Sequence, residues 1–279
     1  MTNKQRDRVR NLTSSLIVAL MCVITLLPIY IMIVLSLKSK TELMRANVFG
    51  LPEVAQWSNY VRAWKGGNFA TYFLNSVYVS AVSVAGILLF STMGAYAMTY
   101  FHFPGSGVVM TMVLFGLLVP GELTLIPQFL NMRTIGLSNT REALIILHVA
   151  GNLAFSIFLL RGFMKSVPKA LIEAARIDGA TESKTLISIV LPMIKPALTA
   201  LLVLTFMWTW NNYFLARVYL LSDNVRTLPM GLDNFKAKNS QDMVLTAAAT
   251  VMVAAPVIVF YLIFERKMVQ GMVIGALKE

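Results

Sequence analysis

Apolar stretches of about twenty residues recur along the whole chain, and each is long enough to cross roughly 30 Å of hydrocarbon as a helix. The chain has 279 residues, of which 57% are hydrophobic and 13% are charged. A soluble domain carries roughly 25% charged residues, so this composition predicts an all-α integral membrane protein. Six transmembrane helices are predicted, with the approximate limits Leu16–Leu37, Tyr72–Tyr100, Val108–Leu130, Ala143–Phe163, Ala197–Ala216 and Val244–Phe264.

The formal net charge of +11 does not indicate a nucleic-acid-binding protein, because the positive residues lie mostly in tails and loops. The single cysteine, Cys22, excludes an intrachain disulfide and a CxxC metal site. His102 and His148 are isolated, and we interpret them as a turn residue and a satisfied intramembrane group. No catalytic constellation of serine, histidine and acidic residues is evident, so an enzyme is the weakest hypothesis and no bound metal is predicted.

Two connecting segments have features of their own. The polar segment 38–70 predicts an external loop with a short interfacial helix around residues 57–64, WSNYVRAW. The third span is interrupted by Pro120-Gly121-Glu122, where a broken helix can expose backbone groups to a cavity.

The longest charged interruption is the loop 165–196, which lies between the fourth and fifth spans. It predicts two short helices joined at Asp178-Gly179, because glycine permits a sharp change of direction. We expect an apolar face on the first helix and a Glu173–Arg176 pair one turn apart on the other face. Small side chains at Ala174 and Ala175 would let another protein approach the backbone. The apolar face consists of Leu171, Ile172, Ala175 and Ile177.

The same loop carries a family resemblance. The run EAARIDGA at 173–180, followed after eight residues by IVLP at 189–192, resembles the EAA loop of the membrane subunits of binding-protein-dependent ABC importers. Further matches point to the carbohydrate branch, and specifically to the smaller six-span permease typified by the maltose system. They are FLLRGFMKSVPKALIEAARIDGA (158–180), IPQFL (126–130), GLSNT (136–140), WTWNNYFLA (208–216), TLPMGL (227–232) and VQGMVIGALK (269–278).

The chain departs from the family pattern at two places. Leu186 stands where family members often have an aromatic residue, and the loop before the last span lacks the usual tryptophan. The first departure alters how the first helix of the loop packs. Neither departure changes the family to which the chain is similar.

The resemblance implies a cytoplasmic coupling helix that rests in a cleft of a separate ATPase subunit. The coupling residues would be Glu173, Ala174, Ala175, Arg176, Asp178, Gly179, Ala180, Leu191 and Pro192. The resemblance also implies that a C-terminal tail reaches the interface between two ATPase subunits through Gly271, Gly275 and Lys278. No GxxxxGK[ST] phosphate loop occurs in the chain, so ATP and Mg²⁺ would be bound by the ATPase subunits and no cofactor by this chain.

The resemblance further implies the partners: a second permease subunit, two ATPase copies and an extracytoplasmic sugar-binding protein. The expected location is the bacterial cytoplasmic membrane, with both termini inside. Residues 1–14 and 267–279 would be cytoplasmic tails, and residues 15–266 the permease domain. Inside segments would hold 13 lysines and arginines and outside segments 11, so this topology rests on the Arg-rich N-terminus and the EAA loop.

Polar residues inside membrane spans are costly and are therefore candidates for the transport pathway. The candidates are Glu122, Asn152, Trp210, Asn211, Asn212 and Tyr213, which combine aromatic faces with polar groups suited to sugars. The alternative is that these side chains only satisfy neighbouring helices or meet water. In the carbohydrate branch that this chain resembles, the larger partner permease makes most of the substrate contacts.

The sequence favours an ATP-driven importer of sugars, and oligosaccharides in particular. An alternative within the class is the import of glycerol phosphate or another polyol. An anionic cargo favours arginines in the pathway, and none lies in the middle of a span. The alternative of another class is an ion-coupled secondary transporter, which typically has intramembrane carboxylates and inverted repeats. This chain offers only Glu122 and no evident repeat.

Overall fold

A computed structural model describes residues 3–45, 48–236 and 242–276, and the side chains of residues 11–45, 48–235 and 242–265. This part of the chain forms helices and turns and has no β-strand. The α-helices are α1 (Asn3–Ser36), α2 (Lys40–Met44), α3 (Ser58–Gly66), α4 (Phe69–Tyr100), α5 (Ser106–Leu118), α6 (Leu125–Thr134), α7 (Arg141–Met164), α8 (Lys169–Ile177), α9 (Glu182–Thr185), α10 (Leu191–Met193), α11 (Lys195–Trp210), α12 (Tyr213–Tyr219), α13 (Asp233–Lys236) and α14 (Met243–Ala276).

Four helical segments are long and apolar enough to cross a membrane by themselves: Asn11–Ser36, Phe69–Tyr100, Arg141–Met164 and Met243–Glu265. Two further helix pairs pass the same test but are bent by 97° and 82°, and the number of spans is six if each pair counts as one. The first pair occupies the third predicted span, whereas the second joins Glu182–Met193, in the loop 165–196, to Lys195–Trp210 in the fifth span. The first pair breaks at Pro120-Gly121, as the sequence indicated.

The fifth span is shorter than predicted, because α11 ends at Trp210 and not at Ala216. The side chain of Asn212 accepts a hydrogen bond from the Leu215 backbone N–H at 2.9 Å and so starts a new helix. Asparagine at such a position satisfies one of the unpaired amides of a helix start.

One compact unit contains residues 1–69 together with 231–255. Its polar centre is Asn59, whose Nδ2 donates to the backbone oxygens of Ser36 and Lys38, each at 3.0 Å. These bonds fix α3 beside the end of α1. The short helix predicted in segment 38–70 is therefore confirmed as α3.

The second unit contains residues 70–230 and 256–279. In it, α4 and α7 approach closely through glycines on α4. A Cβ atom at Gly86 would lie 2.9 Å from Val149 Cγ2, and one at Gly94 would lie 3.0 Å from Ile157 Cδ1. Small residues at helix contacts are a common way to bring membrane helices together, since lipid supplies no hydrophobic drive for their association.

We expect Gly86→Leu to destabilise the second unit, since the added side chain overlaps Val149. Overpacking of this kind costs about 1–3 kcal/mol. Thermal unfolding in detergent should show a midpoint several degrees below that of wild type. Gly107→Leu on α5 is the matched control, because a Cβ there meets nothing within 4 Å. Equal midpoints for the two variants would contradict the close-packing interpretation.

Candidate functional site: the loop between α7 and α11 and a polar cavity

The centre of the loop is α8, whose C-terminal end forms a complete glycine cap. Gly179 has φ of +74°, a left-handed conformation that favours glycine. Its N–H donates to the Arg176 carbonyl at 3.1 Å, and the N–H of Ala180 donates to the Ala175 carbonyl at 2.9 Å. This pair of bonds is the Schellman pattern, which satisfies carbonyls that a helix end otherwise leaves unpaired. The predicted bend at Asp178-Gly179 is confirmed.

One face of α8 is packed against its own chain and the other is not. Ile172 and Ala175 are 3% and 7% exposed, whereas Leu171 and Ile177 are 44% and 86% exposed. The prediction of one apolar face is therefore wrong, because the four residues divide between two sides of the helix. Ile172 lies in a core formed by residues of α4, α7, the loop and α11: Ala95, Tyr96, Leu160, Met164, Val167, Val190, Ile194, Ala197 and Leu201.

A carboxylate that the sequence analysis did not select joins this loop to α4. Tyr96 on α4 donates its hydroxyl to Glu182 Oε2 at 2.5 Å, and Arg176 Nε donates to Glu182 Oε1 at 3.0 Å. The predicted pair of Arg176 with Glu173 is wrong, because the turn at Gly179 brings Glu182 to the guanidinium instead. The hydrogen bond to Glu182 raises the pKa of Arg176 above its ordinary value.

The second half of the loop is an irregular helix that leads into α11. A π-helical turn covers Leu186–Val190 and is followed by α10. Leu186 and Leu191 pack against the buried core of the loop, so the residue that departs from the family pattern still occupies the core. Pro192 is exposed at the start of α10. An 82° bend follows between Glu182–Met193 and Lys195–Trp210.

A polar cavity of about 310 Å³ lies at the break between α5 and α6. It brings together three of the six predicted pathway residues: Glu122 from the break, Asn152 from α7 and Asn212 from the start of α12. The break itself is ordered by short-range bonds, such as the one from Gln128 Nε2 to Thr124 Oγ1 at 2.8 Å. Breaking a helix here places backbone and side-chain polar groups together at one side of α7.

The other three predicted pathway residues do not line this cavity. Trp210 is 3% exposed and packs edge-on against Phe73, with 5.8 Å between the ring centroids. It lines a separate apolar cavity of about 420 Å³. Asn211 and Tyr213 are exposed at the junction of α11 and α12.

His148, which was not among the predicted pathway residues, also lines the polar cavity. It is 3% exposed, and its Nε2 has no hydrogen-bond partner among the described residues. The prediction of a satisfied intramembrane group is therefore wrong for this nitrogen. His102, by contrast, is exposed in the turn after α4, as predicted. One signal was available in the sequence, since His148 precedes Asn152 by one helical turn.

The C-terminal candidates lie at the end of α14. The apolar part of this helix ends at Glu265, and the helix itself continues to Ala276. Gly271 and Gly275 therefore lie on a helical extension beyond the span. Lys278 lies outside the described residues.

Residues 87–269 match the family described as binding-protein-dependent transport system inner membrane component. The match covers α7, the loop and α11, with the EAARIDGA run at its centre. The chain belongs to this family. It is a membrane component of an ABC transport system and not an enzyme.

Relatives of this permease extend the match over nearly the whole chain. The diacetylchitobiose uptake system permease of Streptomyces coelicolor is 32% identical, over 91% of this chain and 84% of its own. The arabinooligosaccharides transport system permease of Halalkalibacterium halodurans is 32% identical, over 93% and 94%. A chain of a bacterial ABC transporter that imports the acidic polysaccharide alginate has a TM-score of 0.84 at 27% identity, over 95% and 98%.

Two variants should separate the contributions of the two bonds to Glu182. Tyr96→Phe keeps the ring in the core but removes a buried hydroxyl, so we expect a loss of about 1 kcal/mol of stability. Arg176→Gln breaks an ion pair whose side chains are both about 40% exposed, which is worth only a few tenths of a kcal/mol. Thermal unfolding of the permease should therefore show a larger decrease for Tyr96→Phe. An equal or larger decrease for Arg176→Gln would contradict this assignment.

Proposed function

We propose that this permease is one of two membrane subunits of an importer that takes sugars, and oligosaccharides in particular, from an extracytoplasmic binding protein. Two copies of a separate ATPase would bind ATP and Mg²⁺ on the cytoplasmic side. The loop 165–196 would pass their movement to the membrane helices. The observation that carries this proposal is the division of α8 into a buried face and an exposed face.

The exposed face has the composition of a docking surface. Leu171 and Ile177 present apolar side chains, Glu173 adds a negative charge, and Ala174 between them has a small side chain. Apolar side chains that lie on a charged loop outside the membrane spans are best covered by another protein. The opposite face carries the buried Ala175, and its Ile172 lies in the core that α4, α7 and α11 share. A partner seated on α8 would therefore act directly on three spans.

The remaining coupling residues give α8 a fixed length and direction. Asp178 is the C-cap residue, and Gly179 and Ala180 form the glycine cap. Leu191 packs against the core at the end of the loop, and Pro192 stands exposed beside it. This arrangement supports the role that the EAA motif implies, in which the loop moves as one body.

We also propose the expected orientation in the bacterial cytoplasmic membrane, with the EAA loop and both termini inside. With six spans, the N-terminal tail, the loop and the C-terminal tail would lie on one side. The helical extension of α14 past Glu265 would carry Gly271 and Gly275 towards the ATPase subunits. Lys278 would belong to the same tail.

The carbohydrate cargo is supported by two relatives whose names specify diacetylchitobiose and arabinooligosaccharides. A phosphorylated polyol is less well supported, because the polar cavity has no lysine or arginine among its described lining residues. Ion-coupled transport leaves the EAA loop unexplained. We therefore retain the importer of neutral oligosaccharides.

Glu173→Lys should abolish the stimulation of ATP hydrolysis by sugar-loaded binding protein in the reconstituted complex. The reason is that the proposed docking face would lose its negative charge. The new lysine would then repel the basic group of the ATPase that Glu173 is expected to face. Glu53→Lys is the matched control, because that carboxylate is also exposed, with a side chain 69% accessible. A Glu173→Lys complex that assembles and responds as wild type does would contradict docking through Glu173.

Ile177→Asp tests the apolar part of the same face. Its side chain is 86% exposed, so the substitution should leave the unfolding midpoint of the isolated permease within a degree or two. Co-purification of the ATPase should fall at least tenfold, because a charge would be buried in the interface. Val54→Asp, at a 67% exposed apolar position outside the loop, is the control. If the ATPase co-purifies with Ile177→Asp as well as with wild type, Ile177 is not part of the docking face.

A further inference from the structure

The polar cavity at the break between α5 and α6 is the feature from which we draw a further inference, which rests on the proposed importer function. Its polar lining comes from separate parts of the chain: Glu122 in the break, Gln128 on α6, His148 and Asn152 on α7, and Asn212 before α12. Polar groups gathered from four elements inside spanning helices are costly unless they have partners. Gln128, Asn152 and Asn212 each make a hydrogen bond within the chain, whereas His148 Nε2 has no partner among the described residues.

His148 indicates where a ligand in the cavity would bind. Its Nε2 is buried, has no hydrogen-bond partner among the described residues, and belongs to a side chain that lines the cavity. Leaving such an atom unpaired costs the full desolvation of the group, so a hydroxyl that reached Nε2 from the cavity would be bound favourably. Asn152 Nδ2 donates to the His148 carbonyl at 2.8 Å and makes no hydrogen bond to His148 Nε2. A hydroxyl group can act as donor or acceptor, and therefore suits either tautomer of the ring.

The charge of the lining selects against anions. Glu122 contributes a carboxylate, and the described residues around the cavity include no lysine or arginine that would balance it. A carboxylate accepts hydrogen bonds from sugar hydroxyls but repels a phosphate or a uronate. The similar transporter chain belongs to an importer of an acidic polysaccharide, and this cavity has the opposite preference.

The cavity also has an apolar wall and a limited size. Phe214 presents an aromatic ring to it, against which the C–H face of a sugar ring can pack. A volume of about 310 Å³ is near the lower end of the range for small-molecule sites, about 300–1,000 Å³. We propose that this cavity binds one neutral sugar unit of the transported chain, with His148 and Glu122 bonding its hydroxyls and Phe214 covering its apolar face. His148 is then a specificity-determining residue of the permease.

The test uses the complete transporter in lipid nanodiscs and in proteoliposomes. Equilibrium binding of radiolabelled arabinotriose, diacetylchitobiose and trimannuronate is measured without binding protein, followed by uptake and ATP hydrolysis with binding protein present. The variants are His148→Leu and His148→Gln, the second of which restores a hydrogen-bonding group near the position of Nε2. His102→Leu is the matched control, because His102 is exposed in a turn away from the cavity.

We expect at least one neutral sugar to bind to the wild-type complex at least tenfold more tightly than trimannuronate. His148→Leu should weaken that binding at least tenfold, His148→Gln should recover part of it, and His102→Leu should match wild type. The unfolding midpoint of His148→Leu should be equal to or above that of wild type, since an unpaired buried polar group has been removed. A purely structural histidine would instead lower the midpoint and leave sugar binding unchanged.

Four outcomes overturn the proposal, and the last of them overturns the importer function as well. If His148→Leu binds neutral sugars as tightly as wild type does, His148 is not part of the binding site. If trimannuronate and the neutral sugars bind with equal affinity, the cavity does not select against anions. If no neutral sugar binds but loaded binding protein still stimulates ATP hydrolysis, the cavity is not a sugar site. The importer function is then unaffected. If loaded binding protein stimulates neither hydrolysis nor uptake in the wild-type complex, the importer function fails, and the cavity proposal fails with it.

Discussion

The burial of one side of α8 is the constraint on which the rest of the loop depends. A nine-residue helix outside the membrane has too few internal hydrogen bonds to be stable by itself, since isolated helices shorter than about 12 residues are marginal in water. Ile172 supplies the missing stability by packing into a core built from α4, α7 and α11, and Ala175 is buried on the same helix. That core fixes which side of α8 remains exposed, and so determines which residues another protein can reach.

The same packing explains why the chain breaks its helices where it does. The π turn at Leu186–Val190 and the bend before α11 allow Val190 and Ile194 to enter the core that a straight helix would miss. The break at Pro120-Gly121 has a different consequence, since it turns α6 away and leaves Glu122 beside α7. One break completes the apolar core that joins the loop to α4, α7 and α11, and the other assembles a polar cavity beside α7.

Much of this arrangement could be predicted from local sequence, because it depends on local chemistry. Gly179 follows from the need for a left-handed residue at the helix end, and the interruption at Pro120-Gly121 follows from the loss of helical hydrogen bonds. The partner of Arg176 could not be predicted in this way, since it depends on the direction of the chain after Gly179. Neither could the contact of Tyr96 with Glu182, whose positions are 86 residues apart. For the same reason, sequence spacing alone placed Trp210 with Asn212, although the structure puts them beside different cavities.

The helix α7 connects the two parts of the candidate site. Its first half carries His148 and Asn152 at the polar cavity, and its second half carries Leu160 and Met164 in the core that holds α8. Twelve residues separate His148 from Leu160, which is about 18 Å along a helix with a rise of 1.5 Å per residue. This helix is continuous from Arg141 to Met164, and Gly86 and Gly94 bring α4 into close contact with it. A displacement imposed on the exposed face of α8 would therefore reach the cavity through a rigid, closely packed helix, without any change of its internal hydrogen bonds.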